Sequence, residues 1–255
     1  MHIISENKGI HTDLLIDFCV DHSSIKEESG VQLFHAKYKN HHYSTIGFLD
    51  STDKDQKSII VKFLVEELKK YVTNNSSILI VGLGNRNSTP DSLGPKCLDR
   101  ILVTRHLFSF GDVEEGYSNV SIFEPNVFGS TGINSVDLIK SVVDLVHPDI
   151  VFFIDSLCTS SVERMNHSIQ ITDSGISPGS GVLNDRGELS SNTLGCNVIA
   201  IGIPTVVDIR SMVTDLENAD FIVTSKDVDY VMDSFSYLIG ESINKVLHKS
   251  YLSTK

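Results

Sequence analysis

Two aspartates occupy positions at which a carboxylate can act in catalysis. Asp91 lies in the loop "GNRNSTPDSLGP", which follows an apolar run at residues 78–81, and Asp155 follows another at residues 151–154. A carboxylate at the end of a buried strand is partly desolvated, which raises its pKa, and a second carboxylate nearby separates the two titrations. One acid can then take a proton from water while the other protonates a leaving amine. The positions of Asp91 and Asp155 therefore predict that these two residues form an acid–base pair that catalyses hydrolysis.

The loop around Asp91 is rich in residues that form turns. It contains two asparagines, two prolines and two glycines, which together favour a rigid, non-helical path that holds the acid toward Asp155. A structural alternative exists, because an aspartate after a strand often caps the following helix. Asp91 could cap a helix at residues 93–98, and Asp155 could cap one at residues 158–164.

Other catalytic motifs are incomplete in this sequence. Residues 82–84 begin like a dinucleotide-binding fingerprint, but Asn87 replaces the third glycine. Residues 175–179 match a nucleophile elbow, yet Pro178 lacks the backbone N–H that an oxyanion hole requires. The sequence contains neither a CxxC pair nor an HExxH motif. We therefore expect no cofactor and no metal site.

Length and charge narrow the class of protein. The chain has 255 residues, 40% of them hydrophobic, and a formal net charge of −12. One sizeable core fits this length, so we expect a single α/β domain over residues 1–255. The negative charge disfavours direct binding to nucleic acid or to anionic membranes. Four widely spaced cysteines and the lack of a long apolar run indicate the reducing cytosol.

Apolar patterns typical of strands and helices alternate along most of the chain. Strands are predicted at residues 77–81, 120–123, 149–154, 197–203 and 221–224. Helices are predicted at residues 54–71, 132–146 and 226–247. This order predicts an α/β fold with a mostly parallel sheet covered by helices on both faces, and both aspartates at the carboxyl ends of strands. Residues 31–38 and 43–49 predict a small N-terminal hairpin, and residues 202–205 a tight turn.

Long stretches of the sequence resemble the germination protease family. The stretches are "GLGNRNSTPDSLGPKCLDRILVTRHLF", "IDSLCTSSVERMNHSIQITDSGISPGSGVLNDRGELSSNTLG" and "VIAIGIPTVVD". Shorter matches lie at residues 10–14, 127–132 and 223–229, so the resemblance covers nearly the whole chain. The sequence departs from the family in lacking a long charged insertion between residues 206–208 and the C-terminal helix.

The resemblance implies a fold similar to that of hydrogenase-maturation proteases. It also implies an endopeptidase that degrades small acid-soluble spore proteins during germination, with Asp91 and Asp155 as the catalytic pair. The matched stretches contain three candidate auxiliary residues, Asn85, His106 and Arg164. For His106, a helix-end cation that the helix dipole stabilises is an alternative.

Members of the family are made as zymogens in the forespore, assemble into homotetramers and shed a short N-terminal segment. They cut after an acidic residue and before an apolar one, so the bond between Asp13 and Leu14 resembles a self-processing site, with residues 1–13 as the propeptide. Two other hypotheses stay open. One is a catalytically inactive relative that binds spore proteins, and the other is a metal-assisted maturation protease, which needs acids and a histidine that coordinate nickel.

Overall fold

A computed structural model describes residues 3–4, 11–18, 24–73, 76–111, 113–178, 187–213 and 221–248. The strands in chain order are β1 Ile3–Ile4, β2 His11–Thr12, β3 Ser24–Glu28, β4 Val31–Tyr38, β5 His41–Gly47, β6 Ser77–Gly82, β7 Asn119–Phe123, β8 Ile150–Thr159, β9 Ser168–Thr172, β10 Asn197–Asp208 and β11 Ile222–Val223. The helices are α1 Lys54–Leu68, α2 Leu93–Leu98, α3 Arg105–Phe110, α4 Phe128–Thr131, α5 Ser135–Val146, α6 Ser191–Leu194 and α7 Val228–Leu247. None of these helices combines the length and the apolar character needed to cross a membrane.

Nine strands form one mixed sheet. Their order is β3-β4-β5-β9-β10-β8-β6-β7, and β11 pairs with β10 outside this path. Strands β10, β8, β6 and β7 are parallel to one another, whereas the other pairings are antiparallel. The α/β prediction is therefore confirmed, with the parallel pairing concentrated in the half of the sheet that contains Asp155.

Helices cover both faces of the sheet because the parallel strands are apolar on both sides. Side chains alternate along β8, so that Phe152 and Ile154 pack with α1, α2 and α7, while Val151 and Phe153 pack with α5 on the other face. All four side chains are fully buried. The predicted cover of helices on both faces is confirmed.

The N-terminal half adds an antiparallel extension to this sheet. Strands β4 and β5 form the predicted hairpin, and its turn uses Lys39 and Asn40, both of which have a positive φ. The extension joins the parallel half through β9, which pairs with β5 on one side and with β10 on the other. The predicted small β addition is confirmed.

Two central strands are longer than predicted. β8 and β10 stay paired from Ile150 and Asn197 as far as Thr159 and Val207. The expected turn at residues 202–205 is wrong, because these residues lie inside β10, where residues 202–204 pair with β8 and Thr205 forms a bulge. Asp155 likewise lies inside β8 and does not end it. The strands continue because each supplies the other with backbone partners well beyond the apolar runs.

Candidate active site

Asp155 lies in β8 at the point where the neighbouring strand β6 ends. The last residue of β6, Gly82, pairs with Ile154, and the N–H of Leu83 donates to the Ile154 carbonyl at 2.8 Å. Asp155 is 8% exposed, and its carboxylate accepts a hydrogen bond from the N–H of Ser156 at 2.8 Å. The end of β6 therefore leaves a buried carboxylate at the carboxyl edge of the parallel strands.

The pKa of Asp155 is raised well above its ordinary value. Burial is the largest cause because it penalises the charged form, and the carboxylates of Asp91 and Asp13 raise the pKa further. The hydrogen bond from Ser156 acts in the opposite direction. The structure therefore brings Asp91 and Asp155 together and adds Asp13 as a third acid.

Asp91 ends a single 3-10 turn, Thr89–Asp91, that is held by backbone hydrogen bonds. The N–H of Asp91 donates to the Ser88 carbonyl at 2.9 Å, and the Asp91 carbonyl accepts from the N–H of Asn85 at 2.9 Å. The side-chain oxygen of Asn85 accepts the N–H of Asn87 at 3.0 Å. Asn85, a predicted auxiliary residue, therefore shapes the loop that positions Asp91.

Two glycines allow the Asp91 loop to lie close to the sheet. Gly84 has a φ of 105°, and a Cβ at this position would overlap the carbonyl oxygen of Asp91. A Cβ on Gly94, in α2, would lie 2.6 Å from the carbonyl oxygen of Ile154. Larger residues at either position would push the loop or α2 away from Asp155.

A bulge in β10 ties the same loop to the sheet. The register between β8 and β10 shifts between Pro204 and Val206, at Thr205. The hydroxyl of Thr205 donates to the Pro90 carbonyl at 2.6 Å, and the hydroxyl of Thr224 donates to the Thr205 carbonyl at 2.8 Å. Bulges redirect side chains in this way next to active sites. The sequence patterns miss Thr205 because they predict a turn there.

Neither aspartate caps a helix. The N-cap of α2 is Ser92, and Asp91 lies in the preceding 3-10 turn. No helix forms at residues 158–164, because β8 continues to Thr159 and a turn follows. The helix-capping alternative is therefore wrong for both acids.

Residues 11–18 lie against β8 beside the acid cluster. The N–H of Asp13 donates to the Cys158 carbonyl at 2.9 Å, and the Asp13 carboxylate accepts the N–H of Cys158 at 2.8 Å. Asp13 is 5% exposed and Leu14 is fully buried. The bond between Asp13 and Leu14 is therefore held close to the aspartate pair. Of the predicted propeptide, residues 1–2 and 5–10 lie outside the described residues.

Gln170 contacts the chain on both sides of this bond. Its Nε2 donates to the Asp13 carbonyl at 3.1 Å, and its Oε1 accepts the N–H of Leu15 at 2.9 Å. The sequence patterns above miss Gln170 together with its strand, β9. The alternation of isoleucine with polar residues at 168–172 is a strand signal that could have revealed it.

Arg164 binds the carboxylate of Asp17, with Nη1 at 2.6 Å from Oδ1. The same carboxylate accepts hydrogen bonds from Thr12 Oγ1 at 2.5 Å, Thr159 Oγ1 at 2.9 Å and the N–H of Ser160 at 2.9 Å. Arg164, the second predicted auxiliary residue, therefore anchors residues 11–18 to the end of β8.

His106 lies far from the aspartate pair, near the amino end of β7. Its helix, α3, follows Thr104, whose N–H donates to the Val120 carbonyl at 3.1 Å and whose hydroxyl donates to the Ser118 carbonyl at 2.5 Å. The side chain of His106 is exposed. The structure does not bring this third candidate to the site. The helix-end cation alternative is also wrong, because His106 lies in the first turn of α3, where the helix dipole disfavours a cation.

The described residues contain no group of three or more histidine, cysteine, aspartate or glutamate side chains arranged to hold a metal ion. Among these residues, the acids and the histidine that the metal-assisted hypothesis needs around one cleft are therefore not grouped together.

Sequence comparisons identify relatives of one kind. The family model for germination proteases matches residues 16–221. The germination protease of Bacillus subtilis (strain 168) is 45% identical over 190 residues, which cover 72% of this chain and 49% of that protein. The germination protease of Bacillus licheniformis is 52% identical over 166 residues, which cover 64% of this chain and 42% of that protein. The germination protease of Bacillus cereus (strain B4264) is 54% identical over 153 residues, which cover 59% of this chain and 41% of that protein. The chain spans about half the length of these relatives, or less.

Among solved structures, a [NiFe] hydrogenase maturation protease, HycI from Thermococcus kodakarensis KOD1, aligns with 70% of this chain and 99% of its own. The sequence identity is 16% and the TM-score is 0.42.

The family match at residues 16–221 covers most of the chain and includes Asp91, Asp155 and Gln170. This chain therefore belongs to the germination protease family.

Proposed function

We propose that the chain is an endopeptidase that starts the degradation of small acid-soluble spore proteins during spore germination. The observation that carries this proposal is the buried Asp155, whose pKa is raised beside Asp91 and Asp13. Perturbed carboxylates of this kind are typical of acid–base sites. Membership of the germination protease family supports the reaction class and the substrate.

The two aspartates take different roles in the proposed mechanism. Asp155 carries a proton, because burial and two neighbouring carboxylates disfavour its charged form. Asp91 is half-buried and acts as the general base. A single proton shared between the pair is then sufficient for both transfers.

In the proposed hydrolysis, a water oxygen adds to the carbonyl carbon of the scissile peptide. Asp91 accepts one proton from that water, while Asp155 gives its proton to the leaving nitrogen. The C–N bond breaks, which leaves a new carboxyl group and a new amine. Asp91 is then protonated and Asp155 is ionised, and transfer of the proton between them restores the starting state.

We further propose that the described state is a zymogen and that residues 1–13 are the propeptide of an otherwise single protease domain. Asp13 uses the N–H and the carbonyl of Cys158, which are the backbone groups that an extended substrate needs beside β8. Cleavage between Asp13 and Leu14 follows the proposed preference for an acidic residue before the cut. Loss of the propeptide then frees these groups for spore proteins.

By resemblance to the family, we also propose a homotetramer in the forespore and spore core that acts without a cofactor. Substrate, assembly and location are proposals for this chain, because it spans about half the length of its relatives or less.

The decisive experiment compares Asp91→Asn and Asp155→Asn with the wild-type chain. We expect the wild type to lose residues 1–13 at mildly acidic pH and to cut an added spore protein, as followed by intact mass. Each variant should slow both reactions about 1,000-fold or more, because general acid–base catalysis contributes about 10²–10⁴-fold at each group. Asp233→Asn is the matched control, because Asp233 is exposed and pairs with Lys96 on the surface.

Near-normal cleavage by either site variant would reject the assignment of the pair. Absence of cleavage in the wild type, with retained binding of the spore protein, would instead support the inactive, spore-protein-binding relative.

A further inference from the structure

Gln170 is a buried amide whose side chain serves the N-terminal segment. The residue is 2% exposed, and its backbone pairs with Thr45 and Gly202 in the sheet. Its side chain bonds to the Asp13 carbonyl at 3.1 Å and to the N–H of Leu15 at 2.9 Å. One amide thus bonds to the carbonyl of the Asp13–Leu14 peptide group and to the N–H of the following peptide group.

Gln170 and Asp155 lie in the same row of the sheet. Gly202 of β10 pairs with Asp155 on one side and with Gln170 on the other. Residues paired in this way point to the same face, and neighbouring strands are about 4.8 Å apart. The two side chains therefore rise from one face, separated by about two strand spacings, with residues 11–18 lying over them.

We infer that Gln170 is a substrate-positioning residue that holds the scissile peptide group and donates to its carbonyl oxygen during cleavage. This inference rests on the proposed function. Negative charge grows on that oxygen as water adds, so a donor already aimed at it stabilises the transition state. The Oε1 contact to Leu15 fixes the register of the chain after the cut.

An uncharged amide suits this position. A lysine or arginine beside Asp91 and Asp155 would favour their charged forms and so lower their pKa values. Glutamine supplies a donor without a charge, and it takes no part in the transfer of protons between water, Asp91, Asp155 and the leaving nitrogen.

Gln170 contacts two backbone groups of the bound segment, the Asp13 carbonyl and the N–H of Leu15. It therefore holds any extended peptide, whatever its side chains, in one register. The N–H of Cys158 donates to the carboxylate of Asp13 and so recognises the acidic side chain that precedes the scissile bond. The ligand class is thus an extended peptide with an acidic residue at the position of Asp13.

The first test measures self-cleavage of the full-length chain at several pH values. Gln170→Met keeps the length of the side chain but removes donor and acceptor, and should slow cleavage about 100-fold at every pH, as expected for the loss of one oxyanion donor. Gln170→Glu keeps an acceptor and can donate only while protonated, so its cleavage should recover toward the wild-type rate as the pH falls. Gln32→Met, which removes an exposed amide bonded to Glu27, should leave the rate unchanged.

The second test does not depend on catalysis. In the Asp155→Asn background, hydrogen exchange of the Leu15 amide should be at least about tenfold faster with Gln170→Met, because its acceptor is gone. Unchanged exchange would show that Gln170 does not hold the N–H of Leu15, which would overturn the inference. Faster exchange with unchanged self-cleavage would overturn the role in the reaction.

If the wild type shows no cleavage, the proposed function fails and the catalytic part of the inference fails with it. The exchange experiment then still decides whether Gln170 holds the segment. Slower cleavage by Gln170→Met, pH-dependent recovery by Gln170→Glu and faster exchange together support the inference.

Discussion

Two deeply buried carboxylates in this molecule have opposite pKa shifts. Asp155 is 8% exposed and its pKa is raised by burial, by Asp91 and by Asp13. Glu67, in α1, is 2% exposed, and its burial also acts to raise its pKa. Hydrogen bonds from Lys70, Ser44 and His35 outweigh that effect, so the pKa of Glu67 is lowered.

Neighbouring groups, and not the depth of burial, decide which form of a buried acid is favoured. Lys70 Nζ and Ser44 Oγ each lie 2.6 Å from Glu67 Oε2, and His35 Nε2 lies 3.0 Å from Oε1. Among the described residues, the charges that act most strongly on Asp155 are the carboxylates of Asp91 and Asp13. The Glu67 site is satisfied and links α1 to the hairpin, whereas the Asp155 site is kept in an unfavourable state that acid–base chemistry can use.

Among the changes that compare the two buried acids and leave Asp91 and Asp155 in place, moving Asp91 away from Asp155 should have the largest effect. Gly84→Ala places a Cβ against the Asp91 carbonyl at a backbone conformation that favours glycine. We expect the rate of self-cleavage to fall about 100-fold, which is the effect of misplacing a reacting group by about 1 Å. This corresponds to about 2.7 kcal/mol of activation free energy.

Gly111→Ala is the matched control for Gly84→Ala. Gly111 also has a positive φ, 77°, but a Cβ there meets nothing within 4 Å. Its self-cleavage rate should match that of the wild type. Equal losses in the two variants would mean that backbone strain, and not displacement of Asp91, lowers the rate.

The next effect concerns stability at the Glu67 site. Glu67→Gln removes the acceptor charge that holds Lys70 and His35 and should lower the free energy of unfolding by about 2 kcal/mol at neutral pH. A denaturant titration measures the loss. Because the folded pKa of Glu67 is lowered, its stabilisation is present above the unfolded pKa and is lost as the pH falls through the folded pKa.

The neighbouring residue supplies the control for Glu67→Gln. Glu66 is 42% exposed and pairs with Lys26 on the surface. Glu66→Gln should change the free energy of unfolding by about 0.5 kcal/mol or less. A loss as large as that of Glu67→Gln would contradict the importance of burial, and reduced self-cleavage by folded Glu67→Gln would contradict the separation of the two sites.

Sequence patterns predict the Asp91 and Asp155 pair because both acids come after apolar runs in the chain. The helices α1, α5 and α7 are likewise predictable, since each repeats apolar residues at helical spacing. The continuation of β8 and β10 is not, because their carboxyl-terminal parts, DSLCT at residues 155–159 and IPTVVD at residues 203–208, contain polar residues and a proline without strict alternation and gain their cover from distant chain segments.

The contact between Asp13 and Gln170 is beyond local sequence patterns for the same reason. The hydrogen bond between Gln170 and Asp13 joins residues that are 157 positions apart. Only the folded chain shows that residues 11–18 lie against β8 and β9. A run as short as residues 168–172 gives a weak strand signal, and its partners, β5 and β10, come from different halves of the chain.

The smallest effect should be a gain in stability at the Asp155 site. Because its folded pKa is raised, Asp155 stabilises the fold at low pH, and that stabilisation is lost as the pH rises through the folded pKa. Asp155→Asn removes this dependence, so its Tm should exceed that of the wild type at neutral pH, with the difference shrinking toward acidic pH. The gain should be smaller than the loss from Glu67→Gln, and Asp233→Asn should show neither change. A lower Tm for Asp155→Asn at neutral pH would show that the carboxylate is stabilised in its charged form, which would remove the physical reason for treating the two buried acids as opposites.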